Sequence, residues 1–171
     1  PIYKKGDRDE CTNYRPVSLL SCVGKLFEKC VHTHLYNFVT ANNILTPSQS
    51  GFVKGDSTIF QLLSIYNDYI LNFDRGLTTQ AIFFDLSKAF DKVWHRGILL
   101  KLEAIGIGGS LLRFIENYLS DRFQSVVIKG ETSNAMPVTA GVPQGSVLGP
   151  LFFLIYINDI VENIEAVIKL F

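Results

Sequence analysis

The chain has 171 residues, 47% of them hydrophobic, which is enough for one ordinary domain with a continuous core and excludes a disordered protein. Sixteen basic and sixteen acidic side chains balance, so no global field draws the protein toward nucleic acid or an acidic membrane surface. Cys11, Cys22 and Cys30 are odd in number and lack Cys-x-x-Cys spacing, which signals neither a disulfide framework nor a zinc site and points to a reducing compartment.

No stretch reaches the roughly 18 uncharged apolar residues of a membrane span, and nothing resembles a signal peptide, so an intracellular protein that is not secreted is expected. The first residue is Pro1 and the only methionine is Met136, so the chain is expected to be a piece of a longer product.

In chain order, residues 1–22 combine polar clusters with the apolar run Val17 to Leu20, broken by Pro1 and Pro16, and read as loop and short strand. From Val23 to Asn42, apolar residues recur at Leu26, Phe27, Cys30, Val31, Leu35, Phe38 and Val39, the spacing of a helix. A glycine-punctuated loop, Gly51 to Thr58, leads into a second helix capped by Ser57 or Thr58. That helix carries Leu62, Leu63, Tyr66, Tyr69, Ile70 and Phe73 and stops at Gly76.

Thr78 to Asp85 is predicted as a buried strand ending in a carboxylate. Helices over about Arg96 to Ile105 and Ser110 to Leu119 follow, separated by three glycines. Phe123 to Lys129 and Ala135 to Thr139 read as a hairpin joined by Gly130 to Ser133. The loop Gly141 to Pro150 precedes a buried helix to about Ile164 and a last strand, Ala166 to Phe171. With no repeat or linker and no strict βαβ alternation, the fold class is expected to be α+β in one unit.

Three features suggest chemistry. Asp85 closes an apolar strand, Ile82-Phe83-Phe84-Asp85, where a buried carboxylate is costly unless it meets a cation or a proton. A strand-ending Asp that only caps the turn Leu86-Ser87-Lys88 is the alternative. The glycines and prolines around Gln144 let backbone pass close to a ligand while the amide offers donors and an acceptor, although a plain connection reads equally well. Lys4, Lys5 and Arg15 suit phosphate oxygens, set against the reading of solvated surface charge among Asp7, Asp9 and Glu10.

Other residues are expected to be structural. His32 and His34, two apart, cannot chelate together on a helix. His95 is assigned to packing, Cys22 and Cys30 to inert thiols, Asp159 to a structural hydrogen bond, and Phe152, Phe153 and Tyr156 to the core.

Taken in order, Pro1-Ile-Tyr-Lys-Lys-Gly-Asp7, Asn13-Tyr-Arg-Pro-Val-Ser-Leu-Leu20, Gly51-Phe-Val-Lys-Gly55, Phe84-Asp-Leu-Ser-Lys-Ala-Phe-Asp-Lys-Val-Trp-His95 and Gly141-Val-Pro-Gln-Gly-Ser-Val-Leu-Gly-Pro150 resemble the successive motifs of non-LTR retrotransposon (LINE/jockey-like) reverse transcriptases. The resemblance spans essentially the whole chain. It implies a right-hand polymerase fold, with fingers over about 1–76 and a partial palm over about 77–171 that includes a helical insertion returning to the fingers. It also implies RNA-directed DNA polymerase activity with Mg2+ or Mn2+, an RNA template, a DNA primer and deoxynucleoside triphosphates.

By the same resemblance, Asp85 is the first catalytic aspartate and, with the Leu86 carbonyl, a metal ligand. Phe90 takes the position that crowds the 2′ side of the sugar, and Asp91 fixes local structure. Gln144 and Gly145 lie beside the incoming nucleotide, Lys4 and Arg15 hold its phosphates, and Gly51 and Phe52 follow the template. Asp85 is thereby expected at a strand tip facing the Gln144 loop.

Two departures from the family pattern stand out. Asp56 replaces a common Arg and would oppose a phosphate backbone by about 1 kcal/mol. The chain also ends at Leu170-Phe171, where relatives continue with Ala-Asp-Asp, so by itself it is expected to lack polymerase activity. A catalytically dead remnant that binds nucleic acid, or a group II intron-type maturase, are the other readings.

Overall fold

The computed structural model describes all residues, 1–171. A short hairpin pairs β1 (Ile2–Tyr3) with β2 (Tyr14–Arg15), Ile2 lying opposite Arg15. The run 17–20, part of the expected loop and strand, joins no strand pair; its contact is Ser18 N–H donating to Gln144 O at 2.8 Å. Helix α1 (Cys22–Ala41) starts where the Ser21 hydroxyl accepts from Gly24 N–H, satisfying one of the first-turn amides that have no partner within the helix. Helix α2 (Thr58–Asp74) has the expected cap, Ser57 Oγ accepting from Phe60 N–H.

Helices α3 (His95–Ala104) and α4 (Gly109–Leu119) fall within a residue or so of their predicted bounds. The hairpin forms in two pieces, β3 (Arg122–Gln124) with β6 (Met136–Val138) and β4 (Val127–Ile128) with β5 (Glu131–Thr132). Its turn is tighter than expected: Lys129 and Gly130, both at positive φ, connect Ile128 directly to Glu131.

Helix α5 (Gly149–Ile157) is the centre of the molecule. Its sequence, Gly-Pro-Leu-Phe-Phe-Leu-Ile-Tyr-Ile, is apolar on every side, so it must be covered all round, and Pro150 in its first turn displaces no intrahelical bond. Leu151, Phe152, Phe153, Leu154 and Ile155 are buried. Around them pack Ile98 and Leu102 of α3, Ile115 and Leu119 of α4, Leu35 and Val39 of α1, and Val142 and Leu148. Each such side chain contributes about 1.5–3 kcal/mol relative to exposure.

Three expectations fail. Thr78 to Asp85 is not a strand: its backbone enters no ladder, and Ile82, Phe83 and Phe84 are 68%, 81% and 89% exposed. A strand is held by hydrogen bonds to a neighbour, and no other strand pairs with this segment. Ala166 to Phe171 likewise forms only one parallel bridge, Gln49 to Leu170.

The last helix stops at Ile157 and continues as a 3-10 turn, Asn158–Val161, rather than running to Ile164. Asn158 accounts for the stop: its amide accepts from Thr46 N–H at 2.7 Å and donates to Ile44 O at 2.8 Å, tying this end to the loop after α1. The apolar stripe of α2 also turns outward, leaving Gln61 as its one buried residue.

The reverse-transcriptase-like motifs therefore sit on a mixed architecture of five helices with small antiparallel sheets.

Candidate functional site

The loop 141–148 is tied down from both ends. Gly141 adopts φ +87°, and a Cβ there would meet the Asp91 backbone at 2.7–2.8 Å, so only glycine fits. Gly141 N–H donates to Val93 O and Val142 N–H to Phe90 O, both at 2.8 Å. The Gly141 carbonyl receives His95 Nε2 at 2.8 Å and Arg122 Nη2 at 2.9 Å. Because a carbonyl only accepts, His95 carries its proton on Nε2. Arg122 also donates through Nε to Leu119 O, and burial lowers the pKa of its guanidinium.

At the other end, the Glu28 carboxylate on α1 accepts from Val147 N–H at 2.7 Å and Leu148 N–H at 3.2 Å, just ahead of α5. Ser146 donates to Pro143 O at 2.8 Å and accepts from Gly149 N–H at 3.0 Å, closing the turn. The Tyr118 hydroxyl lies beside Ser146 and Glu28, buried without a well-formed hydrogen bond. Burial foremost, with the nearby Glu28 charge, pushes its pKa up to about 12.

Between these anchors, Gln144 is half-buried and Gly145 exposed. Gln144 Nε2 donates to Asp91 Oδ1 at 2.8 Å, and Gly145 packs beside Ser18 O and Val17. Asp91 thus has the structural role expected of it. Phe90, one residue earlier, is held between Phe153, stacked at 4.7 Å between centroids, and Phe52, edge-on at 5.7 Å. Phe52 itself sits at φ +59°, a conformation uncommon outside glycine. Gly51 beside it is obligatory, since a Cβ there would lie 2.2 Å from the Phe171 backbone.

Four of the five motif segments, through Val17–Ser18, Phe52, Phe90–Asp91 and Gln144–Gly145, therefore meet at one place. Lys4, just after β1, and Arg15, in β2, are exposed at the first hairpin, where Lys4 N–H donates to Asn13 O at 2.8 Å, and neither forms an ion pair. Asp85 and Leu86 are exposed on the unpaired segment. The expected strand tip facing Gln144 is not formed, and it is Asp91, six residues further on, that meets the loop.

No group of three or more His, Cys, Asp or Glu side chains is arranged to hold a metal ion. One exposed carboxylate with a backbone carbonyl supplies only part of a divalent-metal centre, which takes several oxygen ligands. Asp56 is exposed, and hydrogen bonds from the Ser50 side chain and then Ser57 N–H hold its carboxyl below the ordinary value, so the negative charge stands.

Several residues assigned to structure have structural contacts. His32 stacks on Tyr36, Asp159 pairs with Lys101, Phe152 and Phe153 are core, and all three cysteines are exposed and free. No helix is long and apolar enough to cross a membrane. Sequence reasoning missed Glu28 and Arg122. For Glu28 a signal existed: it falls in register with Val31, Leu35 and Val39, an acid on the buried stripe of α1.

The family model for reverse transcriptase (RNA-dependent DNA polymerase) matches residues 2–171. The chain is 36% identical over 160 residues to the "Probable RNA-directed DNA polymerase from transposon BS" of Drosophila melanogaster, covering 93% of this chain and 18% of that protein. It is 34% identical over 159 residues to the corresponding X-element protein of the same species, covering 92% and 17%. To the RNA-directed DNA polymerase from mobile element jockey, also of Drosophila melanogaster, it is 31% identical over 159 residues, again covering 92% and 17%. The chain thus spans 17–18% of the length of these relatives. On the match over nearly its full length, the chain belongs to the reverse transcriptase (RNA-dependent DNA polymerase) family, with relatives among the non-LTR retrotransposons.

Proposed function

We propose that this chain is the fingers and partial palm of an RNA-directed DNA polymerase that copies an RNA template from a DNA primer with deoxynucleoside triphosphates. The observation carrying the reading is the convergence of Val17–Ser18, Phe52, Phe90–Asp91 and Gln144–Gly145, from motifs far apart in the chain, on one surface. In this reading residues 1–76 are fingers and 77–171 palm. The enzyme works inside the cell, in nucleus or cytoplasm, where its nucleic-acid substrates are.

The chemistry open to these residues is mainly positioning. The Phe90 ring, wedged between two other aromatics, presents a rigid edge that crowds a 2′-hydroxyl and admits a deoxyribose. Gln144, its side-chain nitrogen engaged by Asp91, offers a fixed backbone path past which Gly145 lets a base pair approach without a Cβ. Lys4 and Arg15 supply cations for the triphosphate, and Gly51–Phe52 guides the template. Asp85, with the Leu86 carbonyl, is assigned as a ligand for Mg2+ or Mn2+, the kind of ion polymerases of this family use. The ligands present here do not make up a complete metal centre.

The test is primer extension on an RNA template by the protein in the full length its gene encodes. Asp85→Ala is expected to abolish extension while template binding stays within about twofold. Undiminished extension by that variant would refute the assignment of Asp85. Failure of the unaltered protein to extend any primer with either metal would refute the polymerase reading.

A further inference from the structure

We propose that Glu28 is a positioning residue that sets the path of the nucleotide-facing loop from α1. The inference rests on the reading of Gln144 and Gly145 given above. Glu28 is 4% exposed and forms no ion pair, so its carboxylate is buried without a cation to offset the loss of hydration. What it has instead are the two amides of Val147 and Leu148, both received by the same oxygen, Oε2. These lie just ahead of α5, where the helix dipole favours negative charge.

A helix start can be satisfied by a local Ser or Asn, which costs nothing in buried charge. Ser146 Oγ does this for Gly149 N–H, but the acceptor for Val147 and Leu148 reaches in from α1, 119 residues earlier in the chain than Val147. The consequence is geometric. The Gly141 end of the loop is anchored to the 90–95 segment and the 147–148 end to α1, so Gln144 and Gly145 can shift only if one anchor yields. Residues 17–18, immediately ahead of α1, touch the same two residues, so α1 and its leading segment grip the loop at both its tip and its exit.

The experiment compares Glu28→Ala, Glu28→Gln, Glu28→Asp, Gln144→Ala and the double variant Glu28→Ala/Gln144→Ala in the full-length protein. It reads KM for a deoxynucleoside triphosphate, kcat per titrated active site, and thermal unfolding. Glu28→Ala is expected to raise KM about tenfold, equivalent to about 1.4 kcal/mol, with kcat per active site changed by less than about twofold. Glu28→Gln, whose single carbonyl oxygen can still receive both amides, should return KM to near the parent value. The double variant should be little worse than Gln144→Ala, because the two act through one loop.

If Glu28→Ala does not fold, Glu28→Asp carries the test, since it keeps the charge but draws the carboxylate back from both amides and should still raise KM. A lowered unfolding temperature with KM unchanged would make Glu28 a stability residue only and overturn the proposal. Should Gln144→Ala leave KM unchanged, the loop does not face the nucleotide, and that reading falls together with this inference. Should Gln144→Ala raise KM while neither Glu28→Ala nor Glu28→Asp does, only the inference falls.

Discussion

The hydrogen bond between Gln144 and Asp91 is the one that joins two of the family motifs side chain to side chain, and its strength can be measured directly. Asp91 Oδ1 receives Gln144 Nε2 at 2.8 Å, and both residues are half-buried. A hydrogen bond to a charged group is worth about 1.5–3 kcal/mol when sheltered, and partial exposure brings the expected coupling down to about 1–1.5 kcal/mol. The main-chain bonds of Gly141 to Val93, Val142 to Phe90 and Ser18 to Gln144 do not involve either side chain, so the loop should keep its course in the variants.

Urea unfolding of the parent, Asp91→Ala, Gln144→Ala and the double variant closes the cycle. Each single change is expected to cost about 1–2 kcal/mol, lowering Tm by roughly 2–8 °C for a protein of this size. Single costs that simply add, with coupling below about 0.3 kcal/mol, would show that the bond is not made in solution and would remove this side-chain link between the two motifs.

Gly141→Ala should destabilise by about 3 kcal/mol, seen as a lower urea midpoint, because it combines a strained φ with a Cβ pressed on the Asp91 backbone. Phe152→Ala, at the centre of α5 with no exposed surface, should cost about 3–5 kcal/mol in the same assay. The Lys101 contact holds the Asp159 carboxyl below its ordinary value, so its stabilisation is present above the unfolded value near pH 4 and is lost as pH falls through the lower folded value. Asp159→Asn should therefore cost less than about 1 kcal/mol at pH 7, the carboxylate being half-exposed, and nothing near pH 2. Amides of residues 78–86, which enter no backbone hydrogen bond, should exchange with solvent as fast as an unfolded peptide, and protection of Ile82 to Asp85 would show that a strand forms there after all.

The sequence by itself determined the features that depend on neighbours a few residues away. Helical spacing located α1 and, with the Ser57 cap, α2; glycines bounded α3 and α4, and the unbroken apolar run of α5 required burial on all sides. The ordered motif wording was enough to point to the family before any geometry was known. Tertiary structure alone decided the rest, because it depends on what lies alongside. Ile82 to Phe84 has the composition of a buried strand and stays unpaired, since the hydrogen bonds of a strand come from a neighbour and no other strand pairs with it. Which face of α2 is covered is decided the same way, and the clamp of His95 and Arg122 on the Gly141 carbonyl and the reach of Glu28 to the start of α5 join residues 19 to 120 positions apart. Local periodicity carries no record of such pairs; they arise only when packing around α5 brings distant segments to the same place.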